Sequence, residues 1–135
     1  MDIQHGDRAK IRDVAFENIR VEFDDKIPTP IYQSSDEQVY DPDADPNFCP
    51  ELAVIIIASG MWSHDGANGD VDGVLFKDIV VYGNRRPTSS FTGLDSDHRA
   101  INVVFDNLQI NGEKIESAEA ANLRQNEYVE GVSFK

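Results

Sequence analysis

The sequence is short of cysteine, of basic residues and of long apolar runs, and each shortage excludes a class of protein. Its single cysteine, Cys49, rules out an internal disulfide and any metal site built from cysteines alone. Twelve Lys and Arg stand against 25 Asp and Glu, a net charge of −13, which argues against nucleic acid and anionic membranes as partners. The longest apolar run, 52–59, is too short to span a bilayer, and residues 1–5 lack the apolar core of a signal peptide.

The composition that remains is that of a folded chain. Hydrophobic residues make up 40% of it, including 7 Phe and 4 Tyr, which is enough to build a core. The length of 135 residues fits one domain and leaves little room for two. We therefore expect a single domain over residues 1–135.

The strongest pattern is an internal repeat. Residues 11–21, 71–81 and 100–110 share the pattern V-x-F-x-[ND]-[IL]-x-[IV], and residues 129–135 begin it again. The repeated Val stands at 14, 74, 103 and 132, so the last two intervals are each 29 residues and the first is 60. Equal spacings of this kind are typical of solenoids and argue against unrelated strands that share V-x-F by chance.

The repeat also predicts a corner within each strand. Val14 and Phe16 are two residues apart and face one side of a strand, whereas Ile19 and Val21 have the opposite parity. A bend between the two pairs would turn both inward, and Asn and Asp tolerate the left-handed backbone that such a bend requires. We therefore predict strands that bend at one position and stack in parallel, with the bend at Asn18, Asp78 and Asn107.

Other segments carry weaker predictions. The β-branched run 52–58 predicts a strand buried on both faces, and 90–93 predicts a short strand. Asn111-Gly112 predicts a tight turn, and 116–125 has the composition for one or two helical turns. Residues 24–50, rich in Pro and Asp, predict a long loop.

At residues 74–83, 90–95, 97–98, 103–112 and 128–134 the chain resembles the C-terminal coils of bacterial right-handed parallel β-helix proteins. These are the pectin-lyase-like proteins, which include polygalacturonase-type glycoside hydrolases. The resemblance implies an all-β fold, a right-handed single-stranded parallel β-helix of three to four coils. Residues 1–135 would be one partial β-helix domain with 24–50 as a loop within it. Relatives of this fold are often secreted or periplasmic, and the sequence leaves the compartment of this chain open.

The sequence departs from that family where catalysis is concerned. The hydrolases resemble one another at Asn-Thr-Asp, Asp-Asp, Gly-His-Gly and Arg-x-Lys elements, and here only Asp24-Asp25 stands, with no Gly-His-Gly after it. We therefore assign no catalytic residue and no cofactor. We expect a non-catalytic or truncated module, a structural scaffold that contacts carbohydrate, rather than an enzyme. Two alternatives stay open: an active glycoside hydrolase or lyase with a carboxylate site, and an oligomeric structural or adhesion protein.

Two groups of polar residues are candidate ligand-binding sites. Trp62, His64 and Asp65 follow the apolar run, where an indole could stack on a sugar ring while the polar groups bond hydroxyls. The alternative is that Trp62 covers the core edge and His64 is solvated. The second group is Asp95, Asp97 and His98, which has the groups for acid–base work, or else a carboxylate that pairs with Arg99.

Residues Asn68, Asp70 and Asp72 match the start of a calcium loop, N-x-D-x-D-G. The closing Glu would fall at the twelfth position, which is Ile79, so a turn rich in Asp and Gly is the favoured interpretation. We assign no metal.

A solenoid end without a cap exposes backbone and apolar side chains, which favours pairing. No cap is recognisable at residues 2–9, and the fourth repeat stops at Phe134-Lys135. We therefore expect a homo-oligomer formed by stacking of coil ends, or stacking against further coils of a longer parent.

Overall fold

The computed structural model describes residues 1–23, 49–60, 63–64 and 67–135, and in these ranges the chain is all-β. Within them there is no helix that could cross a membrane. The strands in chain order are β1 Asp2–His5, β2 Ile11–Phe23, β3 Val54–Ile57, β4 Val71–Gly83, β5 Ser89–Thr92, β6 Ala100–Ile110, β7 Glu113–Lys114, β8 Leu123–Gln125, β9 Val129–Glu130 and β10 Ser133–Phe134.

The strands form two sheets, and the chain alternates between them from β1 to β6. One sheet has the order β1-β3-β5-β8 and the other has the order β10-β6-β4-β2, with β7 and β9 also paired to β6. The pairings along both orders are parallel, and the pairing of β6 with β7 is antiparallel. Parallel neighbours need a crossover between them, which the strand of the other sheet supplies here.

The register of the second sheet matches the sequence repeat. Val14 lies beside Val74 and Val74 beside Val103, and the next apolar position runs through Phe16, Phe76, Phe105 and Phe134. The predicted parallel stacking of the repeats is therefore confirmed.

The predicted corners are also confirmed. Asn18, Asp78 and Asn107 have φ values of 56°, 53° and 63°, which is the left-handed region. The Nδ2 of Asn107 donates to Asp78 Oδ1 at 2.7 Å, so the corner residues of β4 and β6 also bond to each other.

A second column of left-handed residues lies five positions earlier, and the sequence interpretation missed it. In β4 the buried residues are Val71, Val74, Phe76, Ile79 and Val81, with spacings of three, two, three and two. Each interval of three contains one left-handed residue, so the chain bends and the next apolar side chain again faces inward. The earlier column consists of Asp13, Gly73, Asn102 and Gly131, with φ values from 54° to 80°.

The core is organised around a stack of phenylalanines. Ring centroids of Phe16 and Phe76 are 5.3 Å apart, those of Phe76 and Phe105 are 4.8 Å apart, and those of Phe105 and Phe134 are 4.9 Å apart, all near parallel. Phe91 of the other sheet lies 6.1 Å from both central rings. Phe76, Phe91 and Phe105 are at most 1% exposed, so one row of aromatic side chains fills the space between the sheets.

Two predictions on local structure were wrong. The run 52–58 is not buried on both faces, because in β3 only Ile55 and Ile57 are buried and the alternate residues are half-buried. Residues 116–125 form no helix. One turn closes with the amide of Ala121 on the carbonyl of Ser117, and then Asn122 at φ 51° leads the chain into β8.

The short strand and the tight turn were predicted correctly. The strand is β5, at Ser89–Thr92. Asn111 and Gly112 both have positive φ, 53° and 81°, and join β6 to β7 with Ile110 opposite Glu113. Positive φ at both central residues is the backbone of a type I′ turn, which Asn-Gly adopts readily.

We expect Phe105→Ala to destabilise the fold by about 3–5 kcal/mol, because it empties the buried centre of the aromatic stack. Phe16→Ala is the matched control, since its half-buried ring has one stacking neighbour and should cost less than half as much. Urea unfolding followed by circular dichroism measures both. Equal losses would contradict a core organised around this stack.

At the corner, we expect Asn107→Ala to cost about 2–3 kcal/mol, the sum of a left-handed non-glycine residue and a lost hydrogen bond. Asn107→Gly loses the same bond and keeps the backbone free, so it should be the milder change. Thermal and urea unfolding of the pair decide this. If the alanine variant were the more stable, the left-handed geometry would not be a constraint at this position.

Candidate functional site

The structure separates the predicted ligand-binding residues. Trp62 and Asp65 lie outside the described residues, as do residues 24–48 with the Asp24-Asp25 pair. His64 lies beside a cleft at the carboxyl ends of β1 and β3, whereas Asp95, Asp97 and His98 lie in the turn between β5 and β6. The two predicted groups therefore lie at two separate places in the fold.

The cleft has a volume of about 490 Å³ and lies where β1 and β3 end. The amide of Ala58 donates to the carbonyl of His5, which continues the pairing of the two strands as far as the cleft. The lining consists of Gln4, His5, Gly6, Asp7, Ile56, Ala58, Ser59, Gly60 and Ser63. Such a mixture of apolar and polar groups is typical of a small-molecule site.

Asp7, which lines the cleft, is paired with His64, which lies beside it. The amide of His64 donates to Asp7 Oδ1 at 2.8 Å, and its ring Nδ1 lies 3.3 Å from Asp7 Oδ2. The hydrogen bond from the His64 amide, followed by that from the ring, lowers the pKa of Asp7 below its ordinary value. The His64 side chain is 87% exposed, so the ring is accessible to a ligand.

The loop on the far side of the cleft is held by short-range contacts. Ser63 Oγ accepts from the amide of Gly60 at 3.0 Å, and the amide of Ser63 donates to the carbonyl of Gly60 at 3.0 Å. Asn68 Nδ2 donates to Ser59 Oγ at 3.0 Å. Hydrogen bonds within the loop thus fix the positions of the Ser59 and Ser63 hydroxyl groups.

His5 is the buried titratable residue of the cleft. It is 7% exposed, and its Nε2 has no hydrogen-bond partner among the described residues. A Cβ at Gly69 would lie 2.8 Å from that Nε2 and 1.7 Å from the carbonyl oxygen of Ala9. Glycine at 69 therefore lets the chain pass over the imidazole.

The second site is a turn braced by Asp95. Its Oδ1 accepts from the amides of Asp97 and His98 at 2.9 and 3.0 Å, and His98 Nδ1 lies 2.8 Å away. The amide of Asp97 is the main cause of the lowered pKa of Asp95, and the contacts with His98 add to it. Asp95 is an Asx-type brace of its own turn, and its contacts explain the local geometry.

The alternative interpretation expected Arg99 to pair with Asp95 or Asp97, and this was wrong. Its Nη1 lies 2.7 Å from Glu130 Oε1, in the direction of the next strand of the sheet. Ion pairs in this structure commonly run between adjacent strands, because the parallel register brings those side chains together.

The residues of the calcium-like motif do not share one centre. Asn68 bonds Ser59, and Asp70 lies 3.8 Å from Lys10 Nζ. Asp72 pairs with Arg12 and accepts from Asn102 Nδ2. Across the described ranges, no group of three or more His, Cys, Asp or Glu side chains is arranged to hold a metal ion.

The sequence interpretation missed half of the cleft. One signal in the sequence could have found His5: it has the same parity as Ile3, which places His5 and Ile3 on the inner face of a strand. Nothing local links Asp7 with His64, which is 57 residues away. Only the pairing of β1 with β3 brings the two together.

Comparison with protein-family models, with curated proteins and with solved structures returned no match for this chain.

We expect the carboxyl groups of Asp7 and Asp95 to titrate below the ordinary Asp range, which carboxyl-detected NMR measures. His64→Ala should raise the pKa of Asp7 only in part, because the amide donor remains, and leave Asp95 unchanged. His98→Ala should raise the pKa of Asp95 only in part and leave that of Asp7 unchanged. A lowered pKa in the folded state means that each carboxylate stabilises the fold above the ordinary Asp pKa, a contribution lost as the pH falls through the folded pKa. Full recovery of an ordinary pKa in either variant would contradict the amide as the main cause.

Proposed function

We propose that the chain is part of a right-handed parallel β-helix, a non-catalytic scaffold related to polysaccharide-active proteins, which contacts an uncharged oligosaccharide through the cleft at β1 and β3. The observation that carries the proposal is the in-register stack of Val-x-Phe strands, together with a polar cleft at the carboxyl ends of β1 and β3 in the other sheet.

Three features support the β-helix part. The chain alternates between two parallel sheets, each strand lies beside the equivalent strand of the next repeat, and left-handed residues bend the long strands at matching positions. This is the organisation expected of a coil wound around a core.

The chemistry of the cleft supports glycan contact. Among the lining residues, Asp7 is a charged acceptor, Gln4 and Ser59 add amide and hydroxyl groups, and Ile56 supplies apolar surface. His64, which contacts Asp7 beside the cleft, offers a ring nitrogen. Sugar hydroxyls bond to such groups while the C–H face of the ring lies on apolar surface. The carboxylate is the strongest of these partners, because a hydrogen bond to an ionised acceptor is about twice as strong as a neutral one.

The charge of the chain selects among glycans. A net charge of −13, with Asp7 at the rim, repels acidic polymers such as polygalacturonate. Uncharged oligosaccharides, such as fragments of galactan or dextran, carry no such penalty. We therefore place neutral glycans ahead of pectate.

Titration of ¹⁵N-labelled protein with neutral oligosaccharides tests the proposal. We expect amide shifts concentrated at residues 4–7, 56–60 and 63–64, and little response to oligogalacturonate. Asp7→Ala should weaken binding about tenfold or more, which is the value of one lost charged hydrogen bond.

Asp95→Ala is the matched control, because Asp95, like Asp7, accepts from the backbone amide of a histidine and contacts its ring, here His98, and it lies outside the cleft. It should bind as the unmodified chain does. Absence of shifts with any glycan at millimolar concentration overturns the glycan part. Release of reducing sugar from a galactan, dextran or pectin panel would instead favour the hydrolase or lyase alternative.

A further inference from the structure

Among the strands of the described residues, those at both ends of the stack have one unpaired edge. β1 and β2 end the two sheets on one side, and no strand among the described residues pairs with their outer edges. Val14, Phe16, Ile19 and Val21 of β2 are half-buried, whereas their counterparts in β4 are at most 1% exposed. On the other side the sheets end with β8 and β10. Each end thus presents unpaired backbone and apolar side chains.

Residues that lie beside one another from strand to strand form columns through the stack, and three columns carry opposite charges at the two ends. The column that starts at Asp2 passes Val54 and Ser90 and ends at Arg124. The column that starts at Arg12 passes Asp72 and Ile101 and ends at Glu130.

The third charged column starts at Glu17 and passes Lys77 and Asp106. It ends at Lys135, whose amide donates to the carbonyl of Phe105 and whose carbonyl accepts from Asn107. The charges alternate at every step, and the two end residues are exposed and of opposite sign.

The aromatic stack reaches both ends in the same way. Its terminal rings, Phe16 and Phe134, are half-buried and each has one stacking neighbour within the chain. A second copy placed with its β1–β2 end on the β8–β10 end of the first would continue the stack, with its β1 parallel to β8 and its β2 parallel to β9 and β10.

We propose that the occupant of the open β1–β2 edge is the β8–β10 end of a second copy, so that the chain associates head to tail. Asp2 then faces Arg124, Arg12 faces Glu130 and Glu17 faces Lys135 across the junction. One column opposes this: Arg20, Val80 and Gln109 lead to Lys114 of β7, which is of like charge. The junction is therefore carried by the other columns and by the phenylalanine stack. It depends on the sheet edges and not on glycan binding.

Head-to-tail contacts do not close on themselves unless the rotation between copies forms a ring, so they produce a series of species rather than one dimer. Sedimentation velocity and light scattering at about 0.15 M salt, where long-range repulsion is screened beyond about 8 Å, should give a mass that rises with concentration above 15.1 kDa. Electron microscopy of the concentrated sample should show short linear rods.

Charge reversal tests whether the two copies associate head to tail. Asp2→Arg and Arg124→Asp each place like charges across the junction, and each should raise the dissociation constant by about tenfold or more. An equimolar mixture of the two variants restores opposite charges and should recover association. Asp97→Arg has the same charge change as Asp2→Arg at an exposed turn in mid-stack, and should leave association unchanged.

Circular dichroism melting of each variant checks that the fold is retained. A mass of 15.1 kDa at every concentration overturns the proposal. A mass that levels off at twice that value, with no recovery in the mixture, identifies a head-to-head dimer and also overturns it.

Discussion

The structure depends on the left-handed residues that bend each long strand. A straight strand presents alternate residues to one side, so it could place only half of the apolar residues of a repeat in the core. Gly73 and Asp78 each add one residue to that spacing, and Val71, Val74, Phe76, Ile79 and Val81 all become buried. The burial of all five apolar side chains of the strand therefore follows from these two positions.

The repeat of the sequence therefore predicted the fold better than it predicted the site. The V-x-F-x-[ND] pattern contains its own geometry, because the change of parity and the Asn or Asp at the change are both visible in the letters. The earlier column was missed because Asp13, Gly73, Asn102 and Gly131 differ in side chain and share only a tolerance for positive φ. Residues 116–125 were misjudged because helix propensity is a weak prior beside the pairing of β8 with β5.

The cleft was harder to predict, because it depends on contacts between distant residues. His64 was a candidate from its neighbours in the sequence, whereas Asp7 gains its role only when β1 lies beside β3. The two Asp–His contacts are alike in chemistry and differ in setting. Asp95 and His98 belong to one turn, where they brace local backbone, and Asp7 and His64 join two segments across the rim of a cleft.

The unequal spacing of the repeats has a further meaning. Val14 and Val74 are 60 residues apart and Val74 and Val103 only 29, yet both pairs lie side by side in the same register. The length of a connection is therefore independent of the packing of the strands it joins, and loop-closure entropy grows only slowly with that length. Sequence can be gained or lost between the strands while the core stays the same, so an architecture of this kind can acquire new surface loops without redesign of its interior.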